Sequence, residues 1–268
     1  MKATGPMLFL LDIGNTHTHL GLANGERVIK QATISTADWF QGPAVKAAAR
    51  FAGATQFSGA ALCSVVPRAT PLAARMLKRT WGVEALELTE KTLAGIGIDY
   101  PQPHTIGPDR LANAVAAHHR FGAPVIVVDF GTAVTFDVVD RAGNYAGGII
   151  APGLAAMTEY LHEKTALLPR IEIREIEPVI GKSTKEAMLI GAVHGYRGLV
   201  RELIRELRRE LKAPRLPVVA TGGYGCLMAS RMPEISAVEP ELTLEGLRLV
   251  WHSSHKGSGT EKSGPFPA

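Results

Sequence analysis

Leu10-Leu-Asp-Ile-Gly-Asn-Thr-His-Thr-His-Leu20 and Val127-Val-Asp-Phe-Gly-Thr-Ala-Val-Thr-Phe136 follow one plan. In each, an apolar run reaches an aspartate, passes one residue to a glycine, meets an amide or hydroxyl residue and continues as a second run. Residues 7–13 are almost continuously apolar, the pattern of a strand buried on both faces. A return within a few residues makes each copy a hairpin of antiparallel strands. The repeat divides the chain into halves of similar layout and indicates an internal duplication, a signal that outranks any single motif.

Around the hairpins, strand patterns alternate with helical ones, which predicts an α/β fold. Strands are expected at residues 27–32, 59–66, 83–88, 125–129, 134–139 and 216–220, and helices at 44–52, 71–80, 108–121 and 154–161. Residues 183–210 read as helical with breaks near Gly191, Gly195 and Gly198, and their arginines and glutamates as a solvated face. Hairpins joining consecutive strands argue for mixed sheets. The chain has 268 residues, of which 46% are hydrophobic, enough for two small cores. Two tandem domains are expected, 1–118 and 119–252, followed by a disordered tail over 253–268, rich in Ser, Gly, Lys and Pro.

The balance of charge excludes some roles. Net charge is +4 with no basic block, and aromatic residues make up 6%, so no nucleic-acid partner is expected. The apolar run before Asp12 is too short for a signal peptide, and none approaches the roughly 18 residues of a membrane span. No membrane partner is expected, and the chain reads as cytoplasmic. Cys63 and Cys226 form no CxxC pair, and Cys63, inside an apolar run, reads as a small buried hydrophobe.

The hairpins carry the chemistry. Asp12, Gly14, Asn15 and Thr16 suit a turn that holds phosphate: glycine lets backbone approach and tolerates positive φ, N–H and hydroxyl groups donate, and the carboxylate holds Mg²⁺. A single copy is weak, since Asp, Gly and Asn are ordinary turn residues. Two copies can grip both ends of a triphosphate. Val218-Val-Ala-Thr-Gly-Gly223 adds two glycines after a strand, where an adenine could lie against bare backbone. The rival reading takes His17 and His19 as the opening ligand pair of a metallohydrolase. The other histidines show no HxxE or HxxxH partner on a clear apolar strand, so the phosphate reading is preferred.

These motifs, in order with YPQPHTIGPDRLANA, GGIIAPGL, GKSTKEAMLIGAVHG, VVATGGYG and LTLEGL, resemble the type III pantothenate kinases. These belong to the acetate and sugar kinase/actin superfamily. The resemblance runs from residue 8 to about residue 250. It implies two tandem ribonuclease H-like domains and ATP-dependent phosphorylation of pantothenate to 4′-phosphopantothenate, the first step of coenzyme A biosynthesis. It matches Asp12, Ile13, Gly14, Asn15, Thr16, His17, Thr18, His19 and Thr132 to ATP contacts, with Asp12 nearest Mg²⁺. Asp129 matches the ligand of a monovalent cation, K⁺ or NH₄⁺. Tyr100, Gly107, Pro108, Asp109, Arg110 and Thr184 match pantothenate contacts, and Asp109 the general base. It also implies a homodimer in which Thr184 reaches the site from the neighbouring subunit. At position 17 the family often has Asn where this chain has His.

Asp109 stands in the first turn of the expected helix, where the dipole favours its charge, and at an ordinary pKa near 4 it would be a weak base. Arg110 could clamp the pantothenate carboxylate; without the resemblance, one half of a surface salt bridge is an equal reading. Two rivals stand beside the main reading: a kinase for another small hydroxylated acid, and an ATP-binding regulatory protein without catalysis.

Overall fold

The computed structural model describes residues 7–255. These form two compact units. The first holds the chain up to Gly95 together with the segment from Leu244 onward, and the second is Ile96–Thr243.

The first unit contains β1 (Leu8–Ile13), β2 (His17–Ala23), β3 (Val28–Ser35), α1 (Asp38–Gln41), α2 (Pro43–Ala52), β4 (Gly59–Ser64), α3 (Thr70–Trp81) and β5 (Ala85–Glu87). Its sheet has the order β3-β2-β1-β4-β5, with β1 antiparallel to β2 and parallel to β4. Leu8 to Leu11 are fully buried, as the continuous apolar run requires. Phe9, Leu11 and Ile13 pack with Ala44, Ala48 and Phe51 of α2 and Ala73 and Leu77 of α3. Small residues on the helix faces let backbone approach sheet closely. Proline at the start and glycine at the end bound both helices.

The second unit contains β6 (Gly97–Ile98), α4 (Pro108–Phe121), β7 (Val125–Phe130), β8 (Ala133–Val139), β9 (Asn144–Pro152), α5 (Leu154–Lys164), α6 (Thr184–Ile190), α7 (Tyr196–Glu210), β10 (Val218–Thr221), α8 (Gly225–Ala229) and β11 (Ala237–Val238). A last helix, α9 (Leu242–His255), ends the described chain. The second sheet runs β11-β10-β7-β8-β9-β6. Apart from β6, this repeats β5-β4-β1-β2-β3, with the same parallel or antiparallel sense at each pairing. The duplication seen in the two hairpins therefore extends to whole sheets, and both sheets are mixed.

Even-numbered side chains of β7 and β8 (Ile126, Val128, Phe130, Val134, Phe136 and Val138) enter a core with Val193, Val200 and Ile204. The odd-numbered face, with Asp129 and Asp137, receives Asn113 and Arg110 of α4. Its alanines at 112, 114, 116 and 117 are buried, so α4 lies close on that face.

Several details depart from the sequence patterns. The turns differ in length: Ile13 pairs with Thr18, but Phe130 with Val134, so the second loop is one residue shorter. An ungapped alignment of the hairpins thus slips by one after the turn, and Thr135, not Phe136, is the counterpart of His19. Residues 147–152 belong to β9, although Gly147 and Gly148 are poor strand formers; pairing with β8 outweighs propensity. Residues 184–210 contain no break. α6 passes through a π-helical turn, Gly191–Gly195, into α7, and Gly198 lies inside α7, where glycine costs only about 1 kcal/mol. The expected division after residue 118 falls inside α4, whose hydrogen bonds hold it as one piece, and the compact units separate after Gly95. Ser253–His255 complete α9, and the rest of the expected tail, 256–268, lies outside the described residues.

Candidate active site

In the first unit, Asp12 stands near the end of β1 beside Cys63 of the parallel strand β4, whose thiol donates to Asp12 Oδ1 at 3.4 Å. Cys63 is buried, as its apolar setting suggested. The Gly14 N–H donates to the His17 carbonyl (2.9 Å) and the Thr36 hydroxyl to the Gly14 carbonyl (2.7 Å), which closes the turn. A Cβ on Gly14 would stand 3.0 Å from the His17 oxygen. Neither Gly14 nor Gly131 has positive φ, so closeness and not backbone handedness requires the first glycine, and its tolerance of positive φ is not used.

Ile13 is buried, and Asn15, Thr16 and His17 are exposed at the turn. Thr18 points inward: its hydroxyl lies 3.0 Å from that of Thr36 and accepts from the Trp39 indole at 3.1 Å. It braces the turn from beneath. His17 and His19 share the exposed face of β2, with His19 Nδ1 3.0 Å from the Thr33 hydroxyl.

The second unit gathers most of the remaining expected residues around α4, β7 and β8. Gly107 precedes α4 and Pro108 occupies its first turn, which suits proline because no N–H is needed there. Asp109 Oδ1 accepts from the Arg110 backbone N–H at 2.8 Å, and among the described residues Asp109 forms no ion pair. A Cβ at Gly107 would come within 2.5 Å of that same oxygen, so glycine here makes room for the carboxylate. Burial raises the Asp109 carboxyl above its ordinary value, against the pull of Arg110. The weak base expected from the sequence is thereby strengthened.

Arg110 turns away from Asp109. Its Nε donates to Asp137 Oδ1 (2.6 Å) and its Nη2 to the Phe136 carbonyl (3.2 Å). With 14% of the side chain exposed and Asp137 fully shielded, this is no surface salt bridge. Asp129 accepts from Asn113 Nδ2 at 3.2 Å, while Asn113 Oδ1 accepts from the Thr243 hydroxyl at 2.8 Å. Burial, with the nearby Asp109 charge, pushes the Asp129 carboxyl up to about 6. Positive φ at Gly222 and the lack of a Cβ there let the Thr-Gly-Gly turn sit against Asp129 and Phe130.

Tyr100 packs edge-on against Tyr145, ring centroids 6.2 Å apart, and the Tyr145 hydroxyl donates to Asp137 at 3.2 Å. Tyr100, Gly107, Asp109, Arg110 and Asp129 are therefore neighbours in one network. Thr132 lies exposed in the β7–β8 turn. Thr184, exposed in the first turn of α6, is not joined to the network. Three members escaped the sequence patterns: Asn113, Asp137 and Tyr145. The available signal was an aspartate inside an apolar run, Thr135-Phe-Asp-Val-Val139, where a charge needs a partner.

Comparison with known proteins identifies the family. A family model for type III pantothenate kinase matches residues 8–206. A type III pantothenate kinase of Akkermansia muciniphila is 46% identical over 242 residues, 90% of this chain and 96% of that one. Another, from Methylacidiphilum infernorum, is 41% identical over 263 residues, 97% and 93% of the two chains. Among solved structures, a Campylobacter jejuni protein described as a Baf family transcriptional activator superposes with a TM-score of 0.60 at 20% identity, covering 91% of this chain and 97% of that one. A ROK family glucokinase of Streptomyces griseus gives 0.52 at 14% identity, with 91% and 97% covered. At those identities the structures report the fold alone, an α/β architecture. The sequence relatives go further: matched from β1 into α7 and aligned over nine-tenths of its length or more, the chain belongs to the type III pantothenate kinase family.

Proposed function

We propose that this chain transfers the γ-phosphoryl group of ATP to the 4′-hydroxyl of pantothenate, the first step toward coenzyme A. The observation that carries the reading is Asp109: a partly buried carboxylate at a helix start, raised toward a better base, held in no ion pair among the described residues and followed directly by Arg110. The new O–P bond forms as the bond from γ-phosphorus to the ADP oxygen breaks, and the acceptor proton passes to Asp109. Such transfers run through a loose transition state, so positioning and charge stabilisation dominate. Arg110 then takes the pantothenate carboxylate and Tyr100 packs beside it, while residues 12–19 and Thr132 contact ATP.

Two cations belong to the reading. No group of three or more His, Cys, Asp or Glu side chains suited to a metal occurs among the described residues, so Mg²⁺ would rest on Asp12 and the substrate phosphates. Bound there, it would neutralise phosphate charge. Asp129 suits a monovalent ion, K⁺ or NH₄⁺: among the described residues its carboxylate has an amide donor but no cationic side chain to balance it.

The active form in this reading is a homodimer of the cytoplasm, with Thr184 of one protomer serving the acceptor site of its partner. Supporting this, the second unit exposes Ile150 (65%), Leu167 (90%), Val179 (73%) and Ile180 (69%), apolar side chains that a partner subunit would cover. Among the described residues no helix is long and apolar enough to cross a membrane. The test is ADP release that depends on added pantothenate, with Mg²⁺ and either K⁺ or Na⁺. Release with K⁺ that drops sharply with Na⁺ supports the reading. ATP binding without pantothenate-dependent release favours a regulatory protein.

A further inference from the structure

Asp137 lies in the middle of β8 with its carboxylate wholly shielded from solvent. A buried carboxylate is costly unless it is paired and hydrogen-bonded. Here the partners are complete. Arg110 Nε donates to Oδ1 at 2.6 Å, the Tyr145 hydroxyl to Oδ1 at 3.2 Å and the Thr135 hydroxyl to Oδ2 at 3.4 Å. The Phe136 carbonyl holds Arg110 Nη2 as well, so β8 occupies two of the three guanidinium nitrogens, and Nη1, which has no hydrogen-bond partner among the described residues, is left to a ligand. Gly148 opens the slot. A Cβ there would overlap the Phe136 carbonyl oxygen and come within 2.8 Å of Nη2.

The direction of Arg110 matters because Asp109 is its neighbour in sequence. Successive helical residues do not face each other, so the two side chains diverge as long as Arg110 stays on β8. Released from Asp137, the guanidinium would find the Asp109 carboxylate its nearest counter-charge along α4. That pairing would occupy the base and withdraw the clamp from the acceptor together.

The geometry points to Asp137 as a positioning residue: by holding Arg110 on β8 it aims the remaining guanidinium N–H groups at the acceptor carboxylate and keeps them off Asp109. This inference rests on the pantothenate reading. It gives a buried acidic residue in an apolar strand a task in acceptor selection, beyond filling the sheet.

The test compares pantothenate with an analogue whose carboxylate is capped as a neutral amide, in the wild type, Asp137→Asn, Tyr145→Phe and Arg110→Met. Hydrogen bonds to charged groups suggest that Asp137→Asn raises the KM for pantothenate about 10- to 100-fold. The KM for ATP and for the amide should stay as in the wild type, so that the variant's preference between acceptors falls toward that of Arg110→Met. Tyr145→Phe, which keeps the carboxylate and the packing, should move the preference the same way by less, and it carries the test if Asp137→Asn does not fold. A lower melting temperature with an unchanged preference for the carboxylate in either folded variant overturns the positioning role. A wild type that phosphorylates neither acceptor defeats the pantothenate reading itself, and the role of Asp137 with it.

Discussion

Asp109 and Asp129 are both carboxylates at the end or start of an element, yet burial gives them different tasks. The raised Asp109 carboxyl must be ionised to accept a proton, so activity should fall on the acid side at a midpoint above the ordinary 3.8. Asp109→Asn should fold normally and lose about 10²- to 10⁴-fold in kcat. A kcat within about twofold of the wild type, far inside that range, would remove Asp109 from the mechanism. For Asp129 the consequence concerns stability. Its folded carboxyl is raised from 3.8 to about 6, so the folded protein keeps a proton that the unfolded chain has lost. That contribution is full below the unfolded value and is lost as pH rises through the folded one. Melting curves in buffer free of K⁺ and NH₄⁺ should show Asp129→Asn gaining on the wild type between pH 3.8 and about 6, then running parallel above it. Parallel curves throughout would show that Asp129 carries no such proton. Asp109 and Arg110 stood out in the sequence only through the family resemblance, since spacing alone leaves an aspartate at a helix start and its neighbouring arginine open to an ordinary surface role. Asp137 did not, since an aspartate in a strand has the same pattern whether it faces solvent or a buried arginine; only the approach of α4 decides.

The hairpins were the most legible elements, because an apolar run ending in Asp-x-Gly leaves few alternatives to strand, turn and strand. α4 was equally plain, bounded by Pro108 and Gly122. β9 was hidden: Tyr145-Ala-Gly-Gly148 has little strand propensity, and its pairing comes from β8 across a tight turn. Gly148, one of the glycines that obscure β9, is what admits the arginine. Gly148→Ala should therefore destabilise the fold by at least about 1–3 kcal/mol, since the added methyl meets backbone and not a flexible side chain. Urea denaturation measures this directly. An alanine variant as stable as the wild type would mean that β9 can shift away from β8 at little cost.

For the whole molecule, the duplication was readable in the sequence, but where its halves divide was not. Strand patterns locate sheets, whereas the return of α9 residues to the first unit depends on contacts between the two ends of the chain, such as Leu244 against Gly21. Subunit assembly is a further step from sequence, since it depends on which apolar side chains remain exposed. Sedimentation should give a dimer for the wild type, and Leu167→Asp with Ile180→Asp should shift it toward monomer and lower turnover. Full activity in a monomeric double variant would show that each chain works alone. As a whole, the chain is expected to join a phosphoryl group to a hydroxyl of pantothenate. The most direct measurement is the mass of the product after incubation with ATP, Mg²⁺, K⁺ and pantothenate, with Asp109→Asn alongside. Pantothenate heavier by one phosphoryl group in the wild type, and nearly absent in the variant, is the predicted result. Unmodified pantothenate in the presence of bound ATP would contradict it.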